Sequence, residues 1–168
     1  MVKAWEREND YCFTSVLSAF GTLASLEHGK MAHCRVTKSG FCLDTIVGNT
    51  LLDMYIKCGS TSDTRFVFHM MQERDVVSWT AMIAGCRGHG KTRKAIMCFR
   101  EMVHDGFSPD SVTFLAVLYV CSQGDLVDEG LAIFRSMVED HGLRFLAAWL
   151  RIMMLSCRES IVHVWLIY

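Results

Sequence analysis

The chain has 168 residues, of which 51% are hydrophobic and 21% are charged, so it can bury the core of a folded domain and is too apolar for a disordered chain. Its formal net charge of −1 excludes a protein held on nucleic acid by bulk positive charge, so any nucleic-acid binding must depend on local contacts. A single proline, Pro109, and glycines that occur singly favour a helical protein.

The N-terminal sequence and the cysteines narrow the class further. The segment MVKAWEREND has no apolar signal core and is too acidic for a transit peptide, and no apolar run reaches the length of a membrane span. The eight cysteines include no C-x-x-C pair and no zinc-ligand spacing. We therefore expect reduced thiols packed in a helical core, in a reducing compartment, and we predict no metal or other cofactor.

The chain contains an internal repeat. Shifts of 35, 31 and 66 residues align apolar and glycine positions, and the third shift is the sum of the first two. Examples are Trp79 with Phe114, Gly59 with Gly90, and Gly40 with Gly106. Shifts that combine in this way indicate one series of related units.

In chain order, the series begins with the tail of an earlier unit at residues 1–9 and continues with units at 10–44, 45–75, 76–110 and 111–146, before a divergent tail at 147–168. Each unit has an apolar-periodic segment, a turn that contains glycine in most units, a second amphipathic segment and a closing loop. In TRKAIMCFREMV the apolar stripe consists of Ala95, Ile96, Phe99, Met102 and Val103. This pattern predicts an all-α fold of stacked antiparallel helix pairs, an α-solenoid.

The stretch GCRGHGKT, residues 85–92, matches the phosphate-binding pattern G-x-x-x-x-G-K-[ST]. The repeat instead makes Gly90 a turn glycine and begins the second helix near Lys91. A phosphate loop follows a strand, whereas the residues before Gly85 repeat as a helix. We therefore expect no nucleotide partner, and an NTPase remains an alternative that loss of ATP-analogue binding in Lys91→Ala would support.

Over residues 9 to about 143 the chain resembles plant pentatricopeptide repeat (PPR) proteins of the PLS subclass. The resemblance is carried by VGNTLLDMYIKCGS, MQERDVVSWTAMIAG, FTSVLSAFGTLASLEHGKMAHCRVTKSGF and AIMCFREMVHDGFSPDSVTFLAVLYVCSQGDLVDEGLAIFRSM, and by unit lengths in the order long, short, standard, long. It implies a right-handed superhelix that binds single-stranded RNA at one base per unit. It also implies an organellar specificity factor for RNA editing or processing, in the mitochondrion or the chloroplast.

In that family the fifth and last residues of a unit read the base. The resemblance implies three reading pairs: Asn49 with Asp75, Thr80 with Asp110, and, in a long-type unit whose reading is weaker, Thr14 with Asp44. The family's code suggests uracil for the first pair and guanine for the second, hence 5′-U-G-3′. The second residue of each unit would sandwich a base by apolar contact; these residues are Ile46, Val77 and Val112. Leu115 cannot donate or accept a hydrogen bond, so we expect no reading there.

Other interpretations remain open beside the resemblance. Asp44, Asp75 and Asp110 are also suited to cap the helix that follows each of them, and capping and base reading can coexist. Trp79 and three aligned methionines are predicted core residues rather than stacking platforms; the methionines are Met71, Met102 and Met137.

No enzyme activity is predicted, because the sequence has neither the H-x-E nor the C-x-x-C that a zinc deaminase requires. Any editing chemistry would then come from a deaminase-domain protein or another editing factor in trans. Residues 144–168 would be a capping helix or read-through in a truncated gene product. A protein–protein scaffold and a non-functional truncated product are the alternative functions.

Overall fold

The structure is a computed structural model that describes residues 10–40, 44–86, 91–124 and 126–143. These residues form eight α-helices and no strand, which confirms the predicted all-α class. The chain divides into two compact units, Met1–Gly85 and Cys86–Tyr168. The two predicted tails, at 1–9 and 147–168, lie outside the described residues. The helices are α1 (Asp10–Thr22), α2 (Leu26–Lys38), α3 (Thr45–Lys57), α4 (Thr61–Met70), α5 (Val76–Gly85), α6 (Thr92–His104), α7 (Ser111–Gln123) and α8 (Val127–Glu139).

The first unit is built around α3. This helix packs against both α1 and α5, while α2 lies beside α1 and α4 beside α3. Apolar residues at helical spacing bring one face of each helix into this core. Its fully buried side chains include Leu17, Val36, Val47, Leu51, Leu52, Met54 and Ile83. The Phe68 and Trp79 rings meet edge to face with their centroids 4.7 Å apart, so Trp79 is a core residue, as predicted.

The turn after α3 shows why a glycine lies there. Gly59 has φ +73°, a conformation that L side chains rarely adopt. Its N–H donates to the Ile56 carbonyl and the Ser60 N–H donates to the Tyr55 carbonyl, the two hydrogen bonds of a Schellman motif. Gly40 and Gly106, which the repeat aligns, also have positive φ, at +80° and +85°.

In the second unit, α7 packs against both α6 and α8. The Phe99 and Phe114 rings, one from α6 and one from α7, have centroids 5.7 Å apart. Met102 and Met137 are completely buried, and Met71 of the first unit is also buried. The prediction that these three methionines belong to the core is therefore confirmed.

The cysteines differ from the sequence expectation. No disulfide joins the described cysteines, yet Cys121 alone among them is buried, whereas Cys12 and Cys34 are exposed and the remaining described thiols are half-buried. An apolar neighbour in the sequence does not place a cysteine on the buried face of a helix, because adjacent residues point about 100° apart. Within the described ranges, no helix combines the length and the hydrophobicity that a membrane span requires.

Candidate nucleic-acid interface

Each of the first three predicted units ends in an aspartate, and that aspartate lies directly before the first helix of the next unit. Asp44 Oδ1 accepts hydrogen bonds from the backbone N–H groups of Ile46 and Val47, at 2.9 and 3.2 Å. Asp75 Oδ1 accepts from the Ser78 N–H, and Asp110 Oδ1 accepts from the Thr113 N–H, both at 2.8 Å. The predicted capping role is therefore confirmed for all three aspartates, and each such cap contributes about 1 kcal/mol.

The first predicted reading pair is joined by hydrogen bonds. Asn49 Nδ2, on α3, lies 3.1 and 3.2 Å from the two carboxylate oxygens of Asp75 and donates to them. Ser78 Oγ lies 2.6 Å from Asn49 Oδ1 and 2.9 Å from Asp75 Oδ1. We call these three residues the 49–75–78 cluster. Its amide keeps one N–H and one oxygen lone pair for an external partner.

Hydrogen bonds keep the Asp75 carboxyl of this cluster ionised. Burial would raise the pKa of the Asp75 carboxyl, but hydrogen bonds from Ser78, Asn49 and the Val77 backbone outweigh it and lower that pKa below its ordinary value of 3.8. Asp75 is therefore a carboxylate at neutral pH and can only accept hydrogen bonds. A base in contact with this cluster would meet an acceptor beside an amide that can donate and accept.

The other two predicted pairs are placed differently. Thr80 lies half-buried on α5 in the first unit, and Asp110 lies exposed at the start of α7 in the second. Asp110 Oδ1 also accepts from the Thr113 hydroxyl at 2.8 Å. The structure gives no hydrogen bond between the side chains of Thr14 and Asp44, and the Thr14 hydroxyl donates to the Tyr11 carbonyl at 3.2 Å.

The three predicted sandwiching residues share one local position. Ile46, Val77 and Val112 each occupy the second residue of a helix that begins after an aspartate. Their side chains are 63%, 60% and 57% exposed, although all three are aliphatic. Each of these three repeats therefore presents an apolar side chain to solvent within two residues of a capping carboxylate, which is suitable for contact with the face of a base.

The phosphate-loop pattern lies between two helices. The residues up to Gly85 form α5, as the repeat predicted, and not the strand that a phosphate loop follows. Lys91 precedes the first residue of α6, Thr92. Residues 87–90, which include the predicted turn glycine Gly90, lie outside the described residues. In the part of the chain that the structure describes, no group of three or more His, Cys, Asp or Glu side chains could hold a metal ion.

Two residues that lie beneath this surface, against the capping aspartates, were not singled out from the sequence. Ser78 and Thr113 are completely buried, and their hydroxyl oxygens lie 2.9 and 2.8 Å from the carboxylates of Asp75 and Asp110. Both occupy the third helical position in an Asp-x-x-Ser or Asp-x-x-Thr pattern, DVVS and DSVT. The aspartate directly before each helix is the part of this pattern that signals a cap. The contact between Ser78 and Asn49 joins residues 29 positions apart, and no local pattern indicates it.

Comparison with protein families identifies the repeats. A model of the PPR repeat family matches residues 74–123, and a model of the PPR repeat matches residues 49–76 and 112–141. The chain is 43% identical over 135 residues to pentatricopeptide repeat-containing protein At4g16470 of Arabidopsis thaliana, covering 80% of this chain and 27% of that protein. It is 41% identical over 143 residues to At5g27110 of the same plant, covering 85% of this chain and 21% of the relative. The chain thus spans about a quarter of the length of these relatives.

Solved structures show the same fold. A crystal structure of the pentatricopeptide repeat protein PPR10 in complex with an 18-nucleotide psaJ RNA element matches with a TM-score of 0.69 and 26% identity, over 83% of this chain and 21% of that one. A structure of PPR10 from maize, 24% identical, matches with a TM-score of 0.68 over 94% of this chain and 25% of that one. These matches confirm the predicted α-solenoid fold class.

Proposed function

This chain belongs to the pentatricopeptide repeat family, and we propose that it binds single-stranded RNA in a sequence-specific way, with one base for each repeat. The observation that carries the proposal is the hydrogen-bonded pair Asn49 and Asp75, flanked by the exposed side chains of Ile46 and Val77. A similar fold, PPR10, has been crystallised with an RNA element. The base edge would meet the pair, and the aliphatic side chains would contact the base faces.

The proposed sequence preference is 5′-U-G-3′ across the two middle repeats. Asn49 with Asp75 would select uracil, whose edge offers a carbonyl acceptor beside an N–H donor and so matches an amide. Thr80 with Asp110 would select guanine, by the family's code. Thr14 with Asp44 would add a weaker contact, and Leu115 no base reading.

The biological role that fits this binding is specificity rather than catalysis. We infer a PLS-type array that directs RNA editing or processing in a chloroplast or a mitochondrion, with a deaminase-domain protein or another editing factor acting in trans. Two related plant proteins carry the word chloroplastic in their names, which supports an organellar location. The catalytic step would lie outside this chain.

The direct test measures RNA binding by the full chain. Fluorescence anisotropy with eight-nucleotide RNAs would compare all sixteen dinucleotides at the centre of an adenine background. We expect the highest affinity for U-G, and Thr80→Asn should shift the second preference from guanine to uracil. The matched control is Thr50→Ala on α3, whose hydroxyl donates only to the Ile46 carbonyl at 2.9 Å and which should leave both preferences unchanged.

A second measurement guards against weak binding by a short array. Residues 45–110 would be grafted into a longer pentatricopeptide array of known specificity, and the same sixteen dinucleotides would be tested at the two matching positions. Equal affinity for all sixteen, unchanged by Thr80→Asn, would contradict base reading and leave the aspartates as helix caps alone.

A further inference from the structure

We propose that Ser78 is a positioning residue for base recognition: its buried hydroxyl holds the Asn49 amide in the orientation in which repeat 45–75 reads uracil. The inference rests on the proposed function, because it assumes that Asn49 and Asp75 read a base. Ser78 belongs to the next repeat along the chain. The specificity of one repeat would therefore depend on the third residue of the repeat that follows it.

The carboxylate of Asp75 determines which end of the amide faces it. Its oxygens lie 3.1 and 3.2 Å from the terminal nitrogen of Asn49. If the amide were reversed, its oxygen would lie beside a carboxylate that carries no proton to donate, and two acceptors would repel each other. The nitrogen therefore faces Asp75, and the amide oxygen faces Ser78.

The single proton of Ser78 is directed to that amide oxygen. Asp75 Oδ1 already accepts from the Ser78 backbone N–H at 2.8 Å and from the Asn49 amide. Asn49 Oδ1 lies closer to the hydroxyl, at 2.6 Å against 2.9 Å for the carboxylate. The Asp75 N–H in turn donates to Ser78 Oγ at 3.3 Å. Both ends of the amide are thus held, and its remaining N–H and lone pair have a fixed direction.

Burial separates the positioning residue from the reading residues. Ser78 is completely buried, whereas Asn49 and Asp75 are partly exposed. A base can reach Asn49 and Asp75 without touching the Ser78 hydroxyl, so Ser78 would act through the amide. Removing the hydroxyl leaves Asn49 held at its nitrogen alone, and the amide can then rotate away from the reading direction.

Three different residue types occupy the position three residues after the capping aspartates of this chain. Thr113 places a buried hydroxyl 2.8 Å from Asp110, as Ser78 does beside Asp75. At the equivalent place after Asp44 the residue is Val47, which has no hydroxyl, and the Asp44 carboxylate accepts from backbone amides. A valine is therefore compatible with this fold at the third position, and Ser78→Val is expected to fold.

The first measurement needs no RNA. The chain has two asparagines, Asn9 and Asn49, so selective ¹⁵N-asparagine labelling of the full chain gives two side-chain amide pairs, and Asn49→Thr assigns the pair of Asn49. We expect slow hydrogen exchange at the Asn49 amide in the wild type and in Ser78→Thr, and exchange faster by roughly three- to tenfold in Ser78→Ala and Ser78→Val, the range that one hydrogen bond supports. Unchanged exchange in the last two variants overturns the inference.

The second measurement is the uracil preference of the full chain at the first position. We expect Ser78→Ala and Ser78→Val to lower the ratio of uracil affinity to cytosine affinity by roughly three- to tenfold, and Ser78→Thr to keep it. Thr113→Val is the matched control, because it removes a buried hydroxyl from another cap and should leave this ratio unchanged. An equal loss of affinity for every base in Ser78→Ala means a structural role and overturns the inference.

The two measurements separate the inference from the function on which it rests. No uracil preference in the wild type contradicts base reading, while the amide exchange still decides whether Ser78 holds Asn49. Circular dichroism melting accompanies every variant. If Ser78→Ala fails to fold, Ser78→Cys replaces it, since the thiol keeps the side chain at this position but is a weak donor.

Discussion

At the scale of single residues, His33 makes the stability of the first compact unit depend on pH. Its Nδ1 lies 2.9 Å from the Tyr55 hydroxyl, between α2 and α3. Burial lowers the pKa of His33 below its ordinary value of 6.5, and the nearby Asp63 carboxylate, paired with Lys30 at 3.1 Å, opposes that effect only in part. The unfolded chain therefore binds more protons than the folded chain between the folded pKa and 6.5.

We expect the free energy of unfolding to fall as the pH drops below about 6.5, the ordinary histidine pKa that applies in the unfolded chain, and to level off above it. Urea unfolding followed by circular dichroism measures this dependence. His33→Gln, which can still bond to Tyr55 but does not titrate, should flatten the curve. His69→Gln, at an exposed position on α4, is the control and should leave it unchanged. Equal slopes in the wild type and in His33→Gln would show that other groups cause the effect.

The capping aspartates allow a second comparison between residues. Asp44 accepts hydrogen bonds from two backbone amides, whereas Asp75 accepts from the Ser78 backbone N–H and also from the side-chain amide of Asn49. Asp44→Ala should lower the free energy of unfolding by about 1 kcal/mol, the usual value of a cap. Asp75→Ala should lower it by about 2 kcal/mol or more, because the half-buried amide of Asn49 also loses its partner. Equal losses in urea titrations would mean that the side-chain bonds add nothing.

These residues show what the sequence could and could not predict about the site. Asp75 was identifiable as a cap because it directly precedes an apolar-periodic segment, and Asn49 because the family resemblance assigns base reading to the fifth residue of a unit. The role of Ser78 was not identifiable, because it depends on α3 and α5 packing side by side. The pairing of Thr14 with Asp44 was expected on the same basis as Asn49 with Asp75. The structure gives it no hydrogen bond, and the third residue of the following helix is a valine.

At the scale of helices, the turn after α1 has an alanine in a left-handed backbone conformation that favours glycine. Ala24 has φ +50°, and the Ser25 N–H donates to the Phe20 carbonyl, as in the motif that Gly59 forms after α3. An L side chain in this conformation costs about 1 kcal/mol or more, and a glycine avoids that cost but is less restricted in the unfolded chain.

Substitutions at these two turns should therefore have opposite effects. We expect Ala24→Gly to raise the free energy of unfolding by about 0.5 kcal/mol and Gly59→Ala to lower it by about 1 kcal/mol. Both positions are exposed, and a Cβ at Gly59 would meet no atom within 4 Å, so packing should not obscure the result. Chemical denaturation of the two variants measures both values. A destabilised Ala24→Gly would mean that the unfolded-state entropy of glycine dominates here.

The periodicity of apolar residues predicted where the helices lie more reliably than it predicted which side chains are buried. The stripe on α6 placed Ala95, Ile96, Phe99 and Met102 in the core, and all four are buried. Val103 lies on the same stripe but in the last turn of the helix, and it is 49% exposed. Periodicity gives the direction of a side chain around the helix axis and not the extent of its neighbours along that axis. The position at which a buried stripe ends can therefore be determined only from the structure.

At the scale of the whole molecule, the charge balance determines how salt should affect RNA binding. The chain has 17 Lys and Arg against 18 Asp and Glu. A protein that neutralises many phosphates loses affinity steeply with salt, because each contact releases counterions. The proposed contacts, from Asn49, Thr80, Ile46 and Val77, are directed to bases and release none. Most of the binding free energy should therefore persist as the salt concentration rises.

We expect the affinity of the full chain for the U-G RNA to fall by less than about tenfold between about 50 and 200 mM salt, which corresponds to about two phosphate contacts on a single strand. Anisotropy titrations at several salt concentrations measure this slope. The ratio of U-G affinity to that of a matched C-A RNA should stay constant, because the two RNAs share their phosphates and differ only in their bases. A loss of about a thousandfold, together with a ratio near one, would instead identify an electrostatic binder that does not read sequence.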